Sequence, residues 1–316
     1  MIALLATSLI WAFSFGLIGN VLDGVDAYFL AASRLSLAAL VFLPLWRWRG
    51  MTARDAVAYA GIGAVQYGAM YVTLFLSYRH LISHEVAFFT VFTPIYVALL
   101  HDAFARRFHP RYLAAALLAV VGTGIVQYGQ LRSERFWAGF GLMQASNLCF
   151  AFGQVAYRKR RRASSVQTRD HQVFAWLYLG ACAVAWPAWL WLGGAQRPAL
   201  HLPQTCALVY LGVVASGLAF FLWNYGAARV NAGTLAVFNN LKIPLAVAVS
   251  LFFFGERASL PRLLLGGGLC LAALGLNEIR TRHDARRPPR QDAPVPFDGP
   301  IPPSAPDPPA ARRGQA

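Results

Sequence analysis

Ten apolar segments fill most of this chain, at residues 1–20, 27–46, 55–77, 85–101, 111–129, 136–157, 172–192, 204–226, 232–254 and 261–279. A helix crossing a hydrocarbon slab needs about 20 mostly apolar residues, and the segments meet that length, with the fourth short at its ends. A soluble protein still needs a broad polar surface. A sequence that is 57% hydrophobic and 13% charged lacks the residues to make one. The polar–apolar alternation of a membrane barrel is absent. The sequence therefore predicts an all-α, polytopic membrane protein of ten transmembrane helices. Its first segment follows Met1 with no basic run before it and no small-residue cleavage site after it, so it is expected to be retained.

The last five segments read as a second copy of the first five. One register pairs Arg79 with Arg229, Phe88 with Phe238, Pro94 with Pro244 and Ala98 with Ala248. After a one-residue gap, Pro110-Arg111 pairs with Pro261-Arg262 and Gly124 with Gly275. Five is odd, so two copies that span a bilayer must be inverted relative to one another. Inverted repeats around a central site are a common architecture of secondary transporters. The expected organisation is a first five-helix repeat over residues 1–131, a second over 132–282, and a tail over 283–316. Ten of the 18 prolines lie between Pro288 and Pro309, and the tail has no apolar period, so it is expected to be disordered.

The net charge of +15 would suggest nucleic acid in a soluble protein, but its distribution argues for topology instead. With the N-terminus inside, 20 basic residues fall on cytoplasmic links and the tail and six on the outer links. The positive-inside rule then places both termini in the cytoplasm and the protein in the cytoplasmic (inner) membrane. The run Arg158-Lys159-Arg160-Arg161-Arg162 reads as an anchor near anionic lipid at the start of a flexible connector, and no nucleic-acid partner is expected. Glycines recur along several segments, where they permit close helix packing. The same small residues on the fifth and tenth helices offer a homodimer contact as an alternative use.

Lys242 is the most specific single signal. It lies mid-segment in Phe238-Asn239-Asn240-Leu241-Lys242-Ile243-Pro244. A charge at a membrane helix centre costs about 2.5–3.5 kcal/mol on insertion scales and usually faces a cavity. Pro244 weakens the turn by clashing with the Asn240 carbonyl. With the Asn239 and Asn240 amides this makes a polar patch, read either as a substrate site or as a structural cation bonded to helix carbonyls. Pro94 and Pro244 are read as bend points that gate the site, or as static kinks. Arg34 either neutralises an acidic substrate or pairs with Glu85. Ser14, Tyr67, Tyr71, Asn147, Trp223 and Asn224, together with Gln66 and Gln154, are the remaining polar or aromatic candidates for a shared cavity. No pattern calls for a cofactor, a metal or an enzyme: there is no His/Cys cluster, P-loop, nucleophile elbow or intramembrane carboxylate pair.

Gly212-Val213-Val214-Ala215-Ser216-Gly217 through Trp223-Asn224, then Asn240 to Leu245, then Phe253-Phe254-Gly255-Glu256 closely resemble the second EamA domain of the drug/metabolite transporters. Ile10-Trp11-Ala12-Phe13-Ser14-Phe15-Gly16 and Arg34 look like the opening of the first. The resemblance implies ten helices, a central cavity and movement of small metabolites, often by export. The expectation is thus a secondary transporter of a small polar metabolite. The intramembrane cation favours an amino acid or another carboxylate, moved outward by alternating access. A non-transporting membrane scaffold or lipid-handling module is the alternative.

Overall fold

The computed structural model is described over residues 1–22, 24–46, 51–81, 86, 89–105, 136–163, 169–195, 197–230, 234–235 and 237–242, and at isolated residues beyond these. The described residues are helical, with turns between, and include no strand. Seven helices are followed along their length: α1 (Ile2–Val21), α2 (Ala27–Leu45), α3 (Ala53–Ser77), α4 (Thr93–Ala105), α5 (Phe136–Ala163), α6 (Asp170–Leu192) and α7 (Leu202–Ala227). An eighth helical stretch covers residues 237–242. Four helices, α2, α3, α6 and α7, are long and apolar enough to cross a membrane, at 19, 25, 23 and 26 residues.

Local chemistry sets the helix ends. The Asp26 carboxylate accepts the Phe29 N–H at 2.8 Å to cap α2. Thr52 Oγ1 accepts the Asp55 N–H at 3.1 Å to cap α3. These side chains satisfy donors that the first helical turn leaves open. α5 continues as helix through Arg158–Arg162 to Ala163, so the connector expected to begin at Arg158 starts later.

Three helices widen locally into π-turns: Ala64–Ala69 in α3, Ala188–Leu192 in α6 and Leu211–Leu218 in α7. Such turns open carbonyls that lipid cannot satisfy, so protein groups must. In α7 they do. Trp11 Nε1 donates to the Ala215 carbonyl at 2.9 Å, Tyr178 Oη donates to that of Gly217 at 3.1 Å, and Ser216 Oγ donates to that of Leu211 at 2.8 Å. In the register that pairs Arg79 with Arg229, the α3 and α7 π-turns overlap.

Packing follows the small residues. At the α3–α6 crossing, a Cβ on Gly63 would overlap the Leu177 backbone, and one on Gly180 would overlap that of Ala60. Only glycine allows the two backbones to approach this closely. The covered faces hold an aromatic core of Trp11, Phe150, Phe220 and Trp223, and the outer faces expose Leu40, Val57, Trp137 and Trp191. Apolar residues turned outward suit lipid, and Trp137 and Trp191, near helix ends, suit the headgroup boundary.

The two ends of the bundle are held differently. Where α2 begins and α3 finishes, Asp26 pairs with Arg79 at 3.4 Å. At the opposite end, Asp170 forms an ion pair with Arg161 at 2.8 Å and accepts from Arg229 NH2 at 3.2 Å and Tyr157 Oη at 2.9 Å. Asp55 pairs with Arg160 there, and Lys159 Nζ lies 4.8 Å from the Phe104 ring centre. The repeat mates Arg79 and Arg229 thus each reach an aspartate that opens a helix, 53 and 59 residues earlier, at opposite ends of the molecule.

Candidate functional site

The helices line a cavity that is open on one side, with about 630 Å³ of atom-free space counted together with that open part. α1 contributes Trp11, Ser14 and Ile18, α2 contributes Arg34, and α3 contributes Met70, Tyr71 and Leu74. Thr90 and Thr93 come from the start of α4, and Met143, Ser146, Asn147 and Phe150 from α5. Phe220 of α7 and Lys242 complete the wall. The cavity lies between mid-bundle and the Asp26–Arg79 end, and the Asp170 network lies at the other. Its mostly apolar wall, with a few convergent polar groups, fits a small-molecule site.

Lys242 is 5% exposed, and among the described residues its ammonium has no hydrogen-bond or ion-pair partner. It lies 5.5 Å from the Trp11 ring centre and 6.0 Å from that of Phe150. Those ring faces offer a weak cation–π attraction and no acceptor atom. The hydrogen bond from Trp11 to Ala215 fixes the indole, so the π-turn of α7 positions the surface on which the lysine rests.

Arg34 is 3% exposed and held firmly. Its Nε donates to Ser216 Oγ at 3.2 Å, and its NH2 donates to Tyr71 Oη at 2.9 Å and the Leu211 carbonyl at 3.5 Å. The Tyr71 ring centre lies 4.7 Å from its guanidinium carbon. NH1 is buried without a hydrogen-bond partner. The alternative partner Glu85 lies outside the described residues.

The break before α4 supplies the polar wall. Thr90–Phe92 forms a 3-10 turn, and Pro94 is the second residue of the α-helix that follows. Proline there has no N–H to give the preceding turn. The carbonyls at the break are taken by carboxamides: Asn147 Nδ2 donates to Phe89 at 2.7 Å and Asn240 Nδ2 to Val91 at 3.1 Å. Thr93 Oγ1 donates to Asn147 Oδ1 at 3.1 Å. Pro94 is therefore a helix-start residue at a broken segment, and its mate Pro244 lies outside the described residues.

Of the sequence candidates, Lys242, Arg34, Tyr71, Ser14 and Asn147 line the cavity. The other seven, Asn239, Asn240, Trp223, Asn224, Tyr67, Gln66 and Gln154, do not line it. Asn239 donates to Gln154 Oε1 at 3.3 Å and to the Leu235 carbonyl at 3.1 Å, and Asn240 braces the α4 break. Asn224 exchanges amide bonds with Gln66 at 2.9 and 3.2 Å and donates to Tyr67 Oη at 2.8 Å. Tyr67 and Trp223 are fully buried, Tyr67 stacked on Phe220 at 4.6 Å and Trp223 tilted against Trp11 at 5.0 Å. Trp11, Phe150, Phe220, Ser146 and Ser216 were not singled out, although Trp11, Phe220 and Ser216 lie in the family-like phrases. A buried His101–Asp102 pair at 3.3 Å in α4 was also missed, because the sequence placed His101 at the end of a shorter helix.

A helical membrane protein with an apolar cavity and two buried cations in its wall defines a carrier of small molecules. Residues 1–128 and 137–277 match the EamA-like transporter family, and the chain belongs to that family. A protein of Pseudomonas aeruginosa named as a probable biotin transporter is 46% identical over 281 residues, covering 88% of this chain and 98% of that one. The biotin transporter of Escherichia coli is 43% identical over 276 residues, covering 87% and 91%. A solved crystal structure shares the fold with a TM-score of 0.71, at 18% identity, over 89% of this chain and 97% of that chain. The protein is a multi-pass membrane transporter of a small molecule and not an enzyme.

Proposed function

We propose that this protein carries biotin, or a closely similar ring-bearing carboxylate, across the cytoplasmic (inner) membrane by alternating access. The observation that carries the reading is Lys242: a buried ammonium with no acceptor among the described residues, in the wall of the cavity. Biotin offers a carboxylate on a short alkyl chain and a compact bicyclic ring system that carries a neutral urea. The named function of the relatives supports biotin over the amino acid that the sequence favoured.

The transport cycle is read on ten crossings in two inverted repeats, residues 1–131 and 132–282, with both termini cytoplasmic. The matched π-turns of α3 and α7 and the Arg79–Asp26 and Arg229–Asp170 pairs support this arrangement. The Asp170 network then marks the cytoplasmic end, and Ser14, Lys242, Arg34, Tyr71 and Asn147 form the substrate cavity. Asn239, Asn240, Trp223, Asn224 and Tyr67 support it from behind, and Pro94 and Pro244 mark the gating breaks.

The test is flux of radiolabelled biotin in proteoliposomes, followed from both sides so that direction is read alongside activity; the sequence led to an expectation of export. Saturable flux that excess unlabelled biotin abolishes is the expected result. Protein that binds and moves no biotin, yet moves amino acids, would return the reading to the amino-acid class. No flux across a metabolite panel would favour the scaffold.

A further inference from the structure

Two residues of the cavity wall carry unused donors, of different character. At Lys242 no N–H is engaged among the described residues, so the ammonium can serve both oxygens of a carboxylate. At Arg34 the situation differs. A carboxylate grips arginine through two adjacent nitrogens at once. Here NH2 is committed to Tyr71 and Leu211, and Nε to Ser216, which leaves NH1 alone. One nitrogen suits one acceptor oxygen, such as that of a urea or amide. The cations stand apart: Arg34 rests on Tyr71 and Phe75, whereas Lys242 rests on Trp11 and Phe150.

The rest of the wall is complementary to such a head group. Ser14 Oγ donates to the Ile10 carbonyl at 2.9 Å, Ser146 Oγ to that of Met70 at 3.1 Å, and Thr93 Oγ1 to Asn147. With their protons spent inward, these hydroxyls keep lone pairs that can accept a ring N–H. No carboxylate lines the cavity among the described residues, so a substrate ammonium would find no counter-charge.

We propose that Arg34 is the specificity-determining residue for the substrate head: NH1 donates to the carbonyl oxygen of a neutral cyclic urea or amide while Lys242 holds the carboxylate at the other wall. This rests on the reading of the cavity as a biotin-class site. It makes the preferred substrate a monocarboxylate with a neutral acceptor head and disfavours zwitterions.

The experiment is equilibrium binding of radiolabelled biotin to purified full-length protein, with competition by biotin methyl ester, which lacks the carboxylate, and lipoate, which keeps the acid tail but lacks the urea. In the wild type each competitor should be weaker than biotin by about tenfold or more, the cost of leaving a buried polar group unpaired. Lys242→Met should erase the ester penalty and keep the lipoate penalty. Arg34→Gln should do the reverse. An Arg34→Gln protein that still rejects lipoate as the wild type does, or that loses the ester penalty instead, overturns the assignment. Should Arg34→Gln fail to fold, Arg34→Lys carries the test: a lipoate penalty reduced by about threefold or more, with the ester penalty intact, supports the role of NH1, and an unchanged one overturns it. Wild-type protein that binds no biotin sinks the substrate reading itself, which separates that failure from failure of the Arg34 assignment alone.

Discussion

Asp170→Asn should unlock one end of the transporter, and the size of the effect follows from its contacts. The carboxylate is 11% exposed, accepts from Arg229 and Tyr157 and forms an ion pair with Arg161. A hydrogen bond to a charged group contributes roughly 1.5–3 kcal/mol, and an isosteric amide keeps part of it through its remaining oxygen. The Arg229 arm is 32% exposed and is discounted toward the surface value of at most about 1 kcal/mol. The net loss is therefore roughly 2–3 kcal/mol, or about a 30- to 150-fold shift toward the state open at that end. Asp26→Asn removes only the 3.4 Å pair with Arg79, whose side chain is 52% exposed. That change should cost at most about 1 kcal/mol, roughly fivefold. Hydrogen exchange of the backbone amides at Arg160–Arg162 and at the start of α6 reads the opening directly. Exchange there should accelerate strongly in Asp170→Asn and little in Asp26→Asn. Equal acceleration in both, or none in Asp170→Asn, would refute the assignment of Asp170 as the tighter latch.

Asn224→Leu should lower stability by about 1–3 kcal/mol, because the Gln66 amide and Tyr67 hydroxyl lose a buried partner; denaturation of the purified protein checks this, and biotin affinity in the folded fraction should stay near wild type because Asn224 does not line the cavity. Gly63→Val should be worse tolerated than Gly61→Val, since a Cβ at Gly63 meets the Leu177 backbone whereas Gly61 has open space; a difference of about 1–3 kcal/mol is expected, and equal melting temperatures would discount the α3–α6 crossing. Cysteine labelling should reach Ser83→Cys from outside and Ser164→Cys from the cytoplasm, and the opposite pattern would invert the proposed topology.

The membrane character and the helix spans could be read from residues alone because they depend on local transfer free energy. Each apolar run partitions into lipid largely on its own account, so α1, α2, α3, α6 and α7 fall within a few residues of the spans read from the sequence, while α5 begins as expected and runs on through its basic end to Ala163. Lys242 was equally legible, since a mid-membrane charge stands out in any context. Which other polar groups face the cavity was decided by tertiary structure. Tyr67 and Tyr71 lie one turn apart in α3, yet Phe220 covers the first while the second meets Arg34 and Ser216. Asn239 and Asn240 look like partners of Lys242 in sequence but turn toward Gln154 and the α4 break. The Asp55–Arg160 pair joins residues 105 apart, a distance over which no sequence spacing carries information. Transfer energy is a property of each segment, whereas the rotation of a helix about its axis is fixed only when all its neighbours have chosen theirs.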